Sequence, residues 1–330
     1  MLSTLLRAAR RLHCARTVVL ACAAFAGAAL AADEYPSKPI HLLVGFSPGG
    51  GLDISCRHWA QELSTRLGQP VVVENKPGAS GEIAVKSMIT ANPDGYTLAC
   101  LSGSNTISSS KPNAPFDILK DTAPVIQMTR FTFVVYVNPS LPVKTFPELI
   151  EYAKRNPGKL NYGSVGIGST PHLAFEVLKQ HAGVNIVHVP FKGTSPAMAA
   201  VLSGEVQVGL DAIAAVKQHF DAGKLRPLAV ISAKRTPSLP GVPGMDEVGM
   251  KGVDINAFSG VAAPARTPSA VVDLLNRHLN AILQEPETRK IFAAQGYEPA
   301  GGSPDDFRRV LAQDVTTWSK VIRDASIKFE

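Results

Sequence analysis

An α/β fold built as two lobes is predicted by three observations. Strand-like and helix-like runs alternate along nearly the whole chain from residue 39. About 300 residues follow an N-terminal targeting pattern, enough for two α/β lobes rather than one core. Two glycine-rich strand-to-helix turns lie more than a hundred residues apart, so each falls in a different half of the chain.

The first segment stands outside that fold. Arg7, Arg10, Arg11 and Arg16 precede a thirteen-residue apolar run over 18–30, no acidic residue interrupts them, and Ala29-Leu30-Ala31 fits a small-x-small cleavage site. The run is short for a spanning helix. Residues 1–31 are therefore expected to be a cleavable signal peptide for the general export route, cut near Ala31. The surroundings of Cys22 and of Arg10-Arg11 fit lipoprotein and twin-arginine signals poorly. Four of the 33 basic residues leave with this segment, so 29 face 27 acidic ones and the mature chain carries about +2. With no basic stripe interleaved with aromatics, nucleic-acid binding is not expected. Of the 4 cysteines, Cys56 and Cys100 remain after cleavage. Two buried free thiols are the expectation, with pairing in an oxidising compartment as the alternative.

Strands are expected at 39–45, 70–74 and 96–101, alternating with helices at 53–67 and 81–91, which points to βαβ units and a largely parallel sheet. Residues 102–123 are rich in Ser, Asn and Pro and read as a long connection. The β-branched and aromatic run 131–137 is a strand. Thr145 as cap, Pro147 in the first turn and Pro157-Gly158 beyond the end bracket the next helix. Strands then follow at 160–163, 185–189, 206–210 and 225–232. Between them lie helices at 171–182, 196–203 and 212–222, stopped by Gly183, Gly204 and Gly223. Residues 237–252 read as loop with at most a short helix. Helices at 268–284, 286–295 and 304–324 close the chain, the last with Ser303 as cap and Asp305 and Asp306 in its first turn.

Chemistry concentrates in the turns. In Gly45-Phe46-Ser47-Pro48-Gly49-Gly50-Gly51-Leu52-Asp53 an apolar strand ends in three glycines and a helix begins at once. Backbone N–H groups can approach a ligand there unobstructed, and the helix adds unpaired donors and the positive end of its dipole. A carboxylate or a phosphate suits such a turn equally well. Asn161-Tyr162-Gly163-Ser164-Val165-Gly166-Ile167-Gly168-Ser169-Thr170-Pro171-His172 repeats the pattern, with Ser169 or Thr170 available as cap. Lys192-Gly193-Thr194-Ser195-Pro196 repeats it more weakly. Asp53 and Asp211 each read as a helix cap or as a ligand-facing acceptor, and His172 as a core residue or one near a ligand. Gly45-Phe46-Ser47-Pro48-Gly49 formally matches a nucleophile elbow, but the residue after Ser47 is proline and has no N–H for an oxyanion. Neither loop carries a dinucleotide or phosphate-loop pattern. No histidine spacing suits a metal.

The same residues resemble a known family. Tyr35-Pro36-Ser37-Lys38-Pro39-Ile40, Phe46-Ser47-Pro48-Gly49-Gly50-Gly51-Leu52-Asp53, Val73-Glu74-Asn75-Lys76-Pro77-Gly78-Ala79 and Pro93-Asp94-Gly95-Tyr96-Thr97-Leu98 look like the periplasmic receptors of tripartite tricarboxylate transporters, the Bug proteins. So do 161–172, Val187-His188-Val189-Pro190-Phe191-Lys192-Gly193 and Leu225-Arg226-Pro227-Leu228-Ala229-Val230. The resemblance implies a type II-like, two-lobed periplasmic binding protein. Each lobe would hold a mostly parallel mixed sheet flanked by helices, with the ligand cleft between lobes. Lobe 1 would comprise 32–130 plus 229–330 and lobe 2 would comprise 131–228, with crossovers near 131–137 and 225–232. Carried over, the ligand-holding turns supply Phe46, Ser47, Gly49, Gly50, Gly51 and Asp53 from the first. Ser164, Gly166, Gly168, Ser169, Thr170 and His172 come from the second. Asp211 falls where the family places a cleft-facing Asp, and Ser102 and Asn105 border the cleft. Leu52 departs from the usual small hydroxyl residue, and the connection 107–117 is shorter than usual.

The expected function is a periplasmic solute receptor. It captures a small carboxylate, an organic acid or an amino acid, and delivers it to the membrane components of a tripartite tricarboxylate transporter. It would do so as a monomer, without cofactor, metal or covalent chemistry. The alternatives are an exported α/β serine hydrolase using Ser47, or a sensor with no transport role.

Overall fold

Alternating strands and helices form in the predicted order over most of the chain. The computed structural model describes residues 35–324 and 329, so the expected signal segment, 1–31, lies outside the described residues. From residue 38 the chain is one body. It begins β1 (Ile40–Val44), α1 (Gly51–Leu67), β2 (Val71–Asn75), a 3-10 turn at Ala79–Gly81, α2 (Glu82–Ile89), β3 (Thr97–Ser102) and α3 (Gly103–Ser109). β1 pairs in parallel with both β2 and β3. Cys56, Trp59, Ala60 and Leu63 recur at helical spacing along α1 and are all buried, the stripe expected of a helix packed on a sheet.

A sixteen-residue strand, β4 (Thr122–Val137), follows. Beyond it come α4 (Phe146–Arg155), β5 (Asn161–Ser164), α5 (Thr170–Ala182), β6 (Val187–Pro190), α6 (Thr194–Ser203), β7 (Val208–Ala212), α7 (Ile213–Asp221) and β8 (Arg226–Val230). The Thr145 hydroxyl caps α4 by accepting from Glu148 N, as its sequence position predicts. The chain ends with β9 (Asn256–Pro264), α8 (Ser269–Gln284), α9 (Pro286–Gln295), β10 (Glu298–Pro299) and α10 (Pro304–Asp324).

The strands make one sheet in the order β2-β1-β3-β9-β4-β7-β5-β6, with β8 and β10 also on β4. β4 is the seam. Over Thr122 to Thr132 it pairs antiparallel with β9, and over Phe133 to Val137 with β7 and, in part, β8. Parallel pairing is confined to the outer strands on each side, β1 with β2 and β3, and β5 with β6 and β7. The sheet is thus mixed, with antiparallel joints at its centre.

Three segments differ from expectation. Residues 102–123 hold α3 and the start of β4 rather than a plain connection. Pro124, Gln127 and Thr129 dilute the strand pattern just beyond it, and the register shifts between Pro124 and Ile126 and between Gln127 and Thr129. Bulges accommodate a proline that a regular central strand would reject. β9 was not expected at all. Its alanines and Gly260 have little β preference, yet it lies buried between β3 and β4, where burial decides the outcome rather than propensity. A Cβ on Gly260 would sit 2.4 Å from the Phe307 ring and 2.6 Å from the Ile126 carbonyl, so only glycine lets the layers approach. Finally, Cys56 of α1 and Cys100 of β3 form a disulfide instead of remaining free thiols, their Cα atoms 6.7 Å apart. Packing α1 on β3 brings together two cysteines 44 residues apart, which no local pattern reveals.

Candidate functional site

The first glycine turn is shaped by Asp53. This residue is buried in the opening turn of α1. Its Oδ2 accepts from Gly49 N at 2.9 Å and Arg57 Nε at 3.0 Å, and its Oδ1 accepts from Asn75 Nδ2 at 2.7 Å. Burial, the largest influence, would raise its pKa, but these donors together hold it below the usual carboxylate value. Asn75 Nδ2 also donates to the Phe46 carbonyl. Asp53 is therefore engaged in fixing the turn. Gly49, at φ +80°, supplies the left-handed residue that the turn needs. Gly50 caps α1 in an extended conformation, leaving the first-turn N–H groups without intrahelical partners.

The second turn is held by its own side chains. Ser169 Oγ accepts from His172 N, and His172 Nδ1 accepts from Gly168 N at 3.1 Å. His172 stacks on His188 at 4.1 Å, and His188 Nε2 lies 2.6 Å from Ser164 Oγ. Burial, the leading cause in each case, pushes His172 down to about 4 and His188 to about 3, so both rings are neutral at neutral pH. Gly166, at φ +137°, passes so close to Ser80 that a Cβ would lie 2.8 Å from its hydroxyl.

The two sides of the β4 seam touch through these turns. Ser47 Oγ donates to the Lys192 carbonyl at 2.6 Å, and Ser195 Oγ donates to the Pro48 carbonyl at 3.0 Å. Farther along, Ser80 Oγ donates to the Ile167 carbonyl at 2.6 Å and Thr170 N donates to Ser104 Oγ at 3.2 Å.

Between these contacts lies a cavity of about 70 Å³. N-terminal residues of five helices border it: Gly51 and Leu52 of α1, Gly103 and Ser104 of α3, Thr170 and Pro171 of α5, Thr194 of α6, and Ala212, the cap of α7. Each brings the positive end of a helix dipole to the wall. Ser102 and Ser104 add hydroxyls, and Ser102 Oγ is buried with no hydrogen-bond partner among the described residues. The remaining wall is largely apolar, with Phe46, Phe131, Phe133, Phe258 and Tyr297. Phe131 sits edge-on to Phe133 at 5.5 Å and to Tyr297 at 5.1 Å. No Lys, Arg or His lines the cavity among the described residues.

Asp211 is the exception in this wall. It lies within β7, one residue before its end, rather than capping α7, whose cap position is Ala212. It is 4 % exposed. Its Oδ1 accepts from Thr194 Oγ1 and from Ala212 N, both at 3.0 Å. Burial pushes its carboxyl up to about 7 against the opposing pull of those two donors.

Of the residues expected at the site, Phe46, Gly50, Gly51, Ser102, Thr170 and Asp211 line the cavity together. The others fall outside the lining. Ser47 bonds across the seam, Gly49 and Asp53 shape the first turn, Asn105 Oδ1 accepts from Ser102 N, and Ser164, Gly166, Gly168, Ser169 and His172 shape the second. Thr194 belongs to the turn rated weaker in the sequence. The aromatic wall was not foreseen. Phe131 and Phe133, two apart on a strand, point to one face and offered a signal. Phe258 and Tyr297 offered none, because distant elements deliver them. Two larger grooves, of about 400 and 510 Å³, flank Arg130 and contain neither glycine turn, whereas a third, of about 260 Å³, is lined by parts of both turns, with Phe46, Gly166 and Lys192 in its wall. No trio of His, Cys, Asp or Glu side chains among the described residues is placed to hold a metal.

The chain is similar to proteins already characterised by sequence or structure. A family model described as the tripartite tricarboxylate transporter family receptor matches residues 55–327. Protein BugT of Bordetella pertussis is 35% identical over 306 residues, covering 92% of this chain and 94% of its own. The solved periplasmic binding protein BugD superposes with a TM-score of 0.86 at 32% identity, over 89% of this chain and 99% of that one. An R. palustris protein solved with adipate superposes with a TM-score of 0.86 at 35% identity, with the same 89% and 99% coverage.

Proposed function

The chain belongs to the tripartite tricarboxylate transporter receptor family, and from that premise we propose that it captures a small carboxylate in the cavity beneath β4 and presents it to the membrane components of such a transporter. One observation carries the reading. N-terminal residues of five helices border a single cavity that no basic side chain lines among the described residues, a wall that neutralises an anion with backbone dipoles and N–H donors. Charge-assisted hydrogen bonds of this kind are roughly twice as strong as neutral ones. The unpartnered Ser102 hydroxyl adds a donor, and the related R. palustris protein holds a dicarboxylate.

Residues 32–130 with 229–330, and residues 131–228, act as two lobes that rotate about the crossings near 131–137 and 225–232. The serine contacts of Ser47, Ser195 and Ser80 then hold the closed form and are given up on opening. The receptor acts in the periplasm as a monomer after cleavage near Ala31, and it releases its ligand unchanged. Ser47 supports this reading, since its hydroxyl is committed to the Lys192 carbonyl and Pro48 follows it.

Thermal-shift screening of the mature protein against short mono- and dicarboxylates, adipate included, tests the proposal. A true ligand at a hundred times its Kd stabilises by about 2.7 kcal/mol. A panel in which no carboxylate raises the Tm refutes the reading.

Gly50→Val tests the first turn. A Cβ at Gly50 would meet Thr194 of α6 at an ordinary 3.5 Å, and its φ of −78° suits any residue. The branched side chain therefore crowds the cavity and α6 without straining the fold. We expect affinity to fall at least tenfold by calorimetry, while unfolding free energy changes by less than about 1 kcal/mol. Unchanged affinity would remove the first turn from the site.

A further inference from the structure

Among the described residues Asp211 is the one carboxyl group in the cavity wall, and its two oxygens are used differently. Both donors, Thr194 Oγ1 and Ala212 N, go to Oδ1, and none among the described residues reaches Oδ2. A side chain 4 % exposed that lines the cavity and keeps one oxygen unpartnered is presented to whatever fills that space. The occupant is an anion if the proposed function holds, and this inference rests on that reading. An ionised Asp211 beside an ionised ligand carboxylate would set two like charges together in a low-dielectric space. The groups that face Asp211 offer no relief. They are Thr194 of α6, Tyr136 of β4, the Ala212 amide and Tyr297, and none is a cation. A carboxylic acid resolves the conflict, because it is neutral and brings a proton that a carboxylate accepts.

We infer that Asp211 enters the ligand complex as a neutral acid whose Oδ2–H donates to a carboxylate oxygen of the ligand, so that binding takes up one proton from solvent. Burial already holds this carboxyl near 7 in the empty cavity, and a bound anion raises it further. At pH 8 the empty site is mostly ionised and must take up the proton as it fills, whereas well below 7 it is protonated beforehand. No bond between heavy atoms is made or broken. The proton moves from buffer to Asp211 Oδ2 on binding and returns on release. Asp211 thereby also selects its ligand. It favours a carboxylate or carbonyl oxygen at this end of the cavity and disfavours a phosphate dianion, which adds charge where no cation lies.

The test is calorimetry on the mature protein with adipate and the short mono- and dicarboxylates of the panel. Titrations run between pH 6.5 and 8.5, above the ligands' own carboxyl titration, in phosphate and in Tris. These buffers release different heats on giving up a proton, so the difference counts protons taken up. The expected result is uptake approaching one proton per ligand at pH 8, with Kd rising about tenfold per pH unit above the transition. Asp211→Asn keeps an oxygen for Thr194 and offers an N–H in place of the acid, so its affinity should be independent of pH. Binding with no proton uptake overturns the inference but leaves the carboxylate receptor standing. Affinity that strengthens as pH rises also overturns it, by making Asp211 an ionised acceptor for a ligand donor. Binding of none of the carboxylates overturns both. The wild-type proton count stands without the variant should Asp211→Asn fail to fold.

Discussion

Replacing both Cys56 and Cys100 by alanine should lower the unfolding free energy of the mature protein by about 4 kcal/mol. The bond between them closes a loop across 44 positions. In the chain-entropy account, such a crosslink withdraws roughly that much freedom from the unfolded chain. It also fastens α1 to β3, and those two elements carry Gly51 and Ser102 to the cavity. Loosening the helix therefore weakens ligand binding as well as folding. Urea unfolding of wild type and variant measures the first effect, and calorimetry measures the second. Thiol titration of the denatured, unreduced mature chain should find no free cysteine. Equal unfolding midpoints for the two proteins would show that the crosslink adds nothing that packing of Trp59 and Leu63 does not already supply.

Cys56 also shows where reading the sequence stops. Its place on the buried stripe of α1 follows from spacing to Trp59, Ala60 and Leu63. Its partner does not, because pairing depends on how a helix lies across a sheet. The glycine turns were legible for the opposite reason. A strand, glycines and a helix start, read in order over 45–53 and again over 161–172, specify local geometry that the fold has little freedom to change. Which residues of a turn face the ligand was harder. Asp53 and Asp211 sit in the same local context, each at a strand-to-helix turn, yet the first is consumed by Arg57, Asn75 and Gly49 while the second lines the cavity with donors on Oδ1 alone among the described residues. Arg57, one helical turn on, and Gly49 take one oxygen of Asp53, and the arrival of β2 beside α1 brings Asn75 to the other. The aromatic wall is a tertiary product too. Phe258 comes from β9, a strand with almost no strand-like sequence, and Tyr297 lies just beyond α9.

Asp211→Asn should stabilise the unliganded protein at pH 8, and the gain should vanish toward pH 4. Burial raises the folded carboxyl to about 7, whereas in the unfolded chain it titrates near 3.9. Between those values the native state holds a proton that the unfolded state has released. Stability from this group is therefore greatest below about pH 4, falls as pH rises through the window, and is lowest above pH 7. This slope is opposite to that of a carboxylate in an ion pair, whose contribution grows with pH. At about 1.4 kcal/mol for each pH unit of displacement, the loss reaches about 4 kcal/mol at most. Asparagine never ionises and still accepts from Thr194 and Ala212. Other perturbed groups do not confuse the comparison. Burial likewise raises Asp314 to about 6 and lowers His172 and His188, but all three are present in both proteins and cancel in the difference. Unfolding at pH 4.5 and pH 8 gives that difference directly, and parallel pH profiles for wild type and variant would mean that Asp211 is not held away from water. A diverging pair would identify a residue that weakens the empty receptor at neutral pH. Such a weakness at the cavity wall is the usual accompaniment of a group kept for binding rather than for folding.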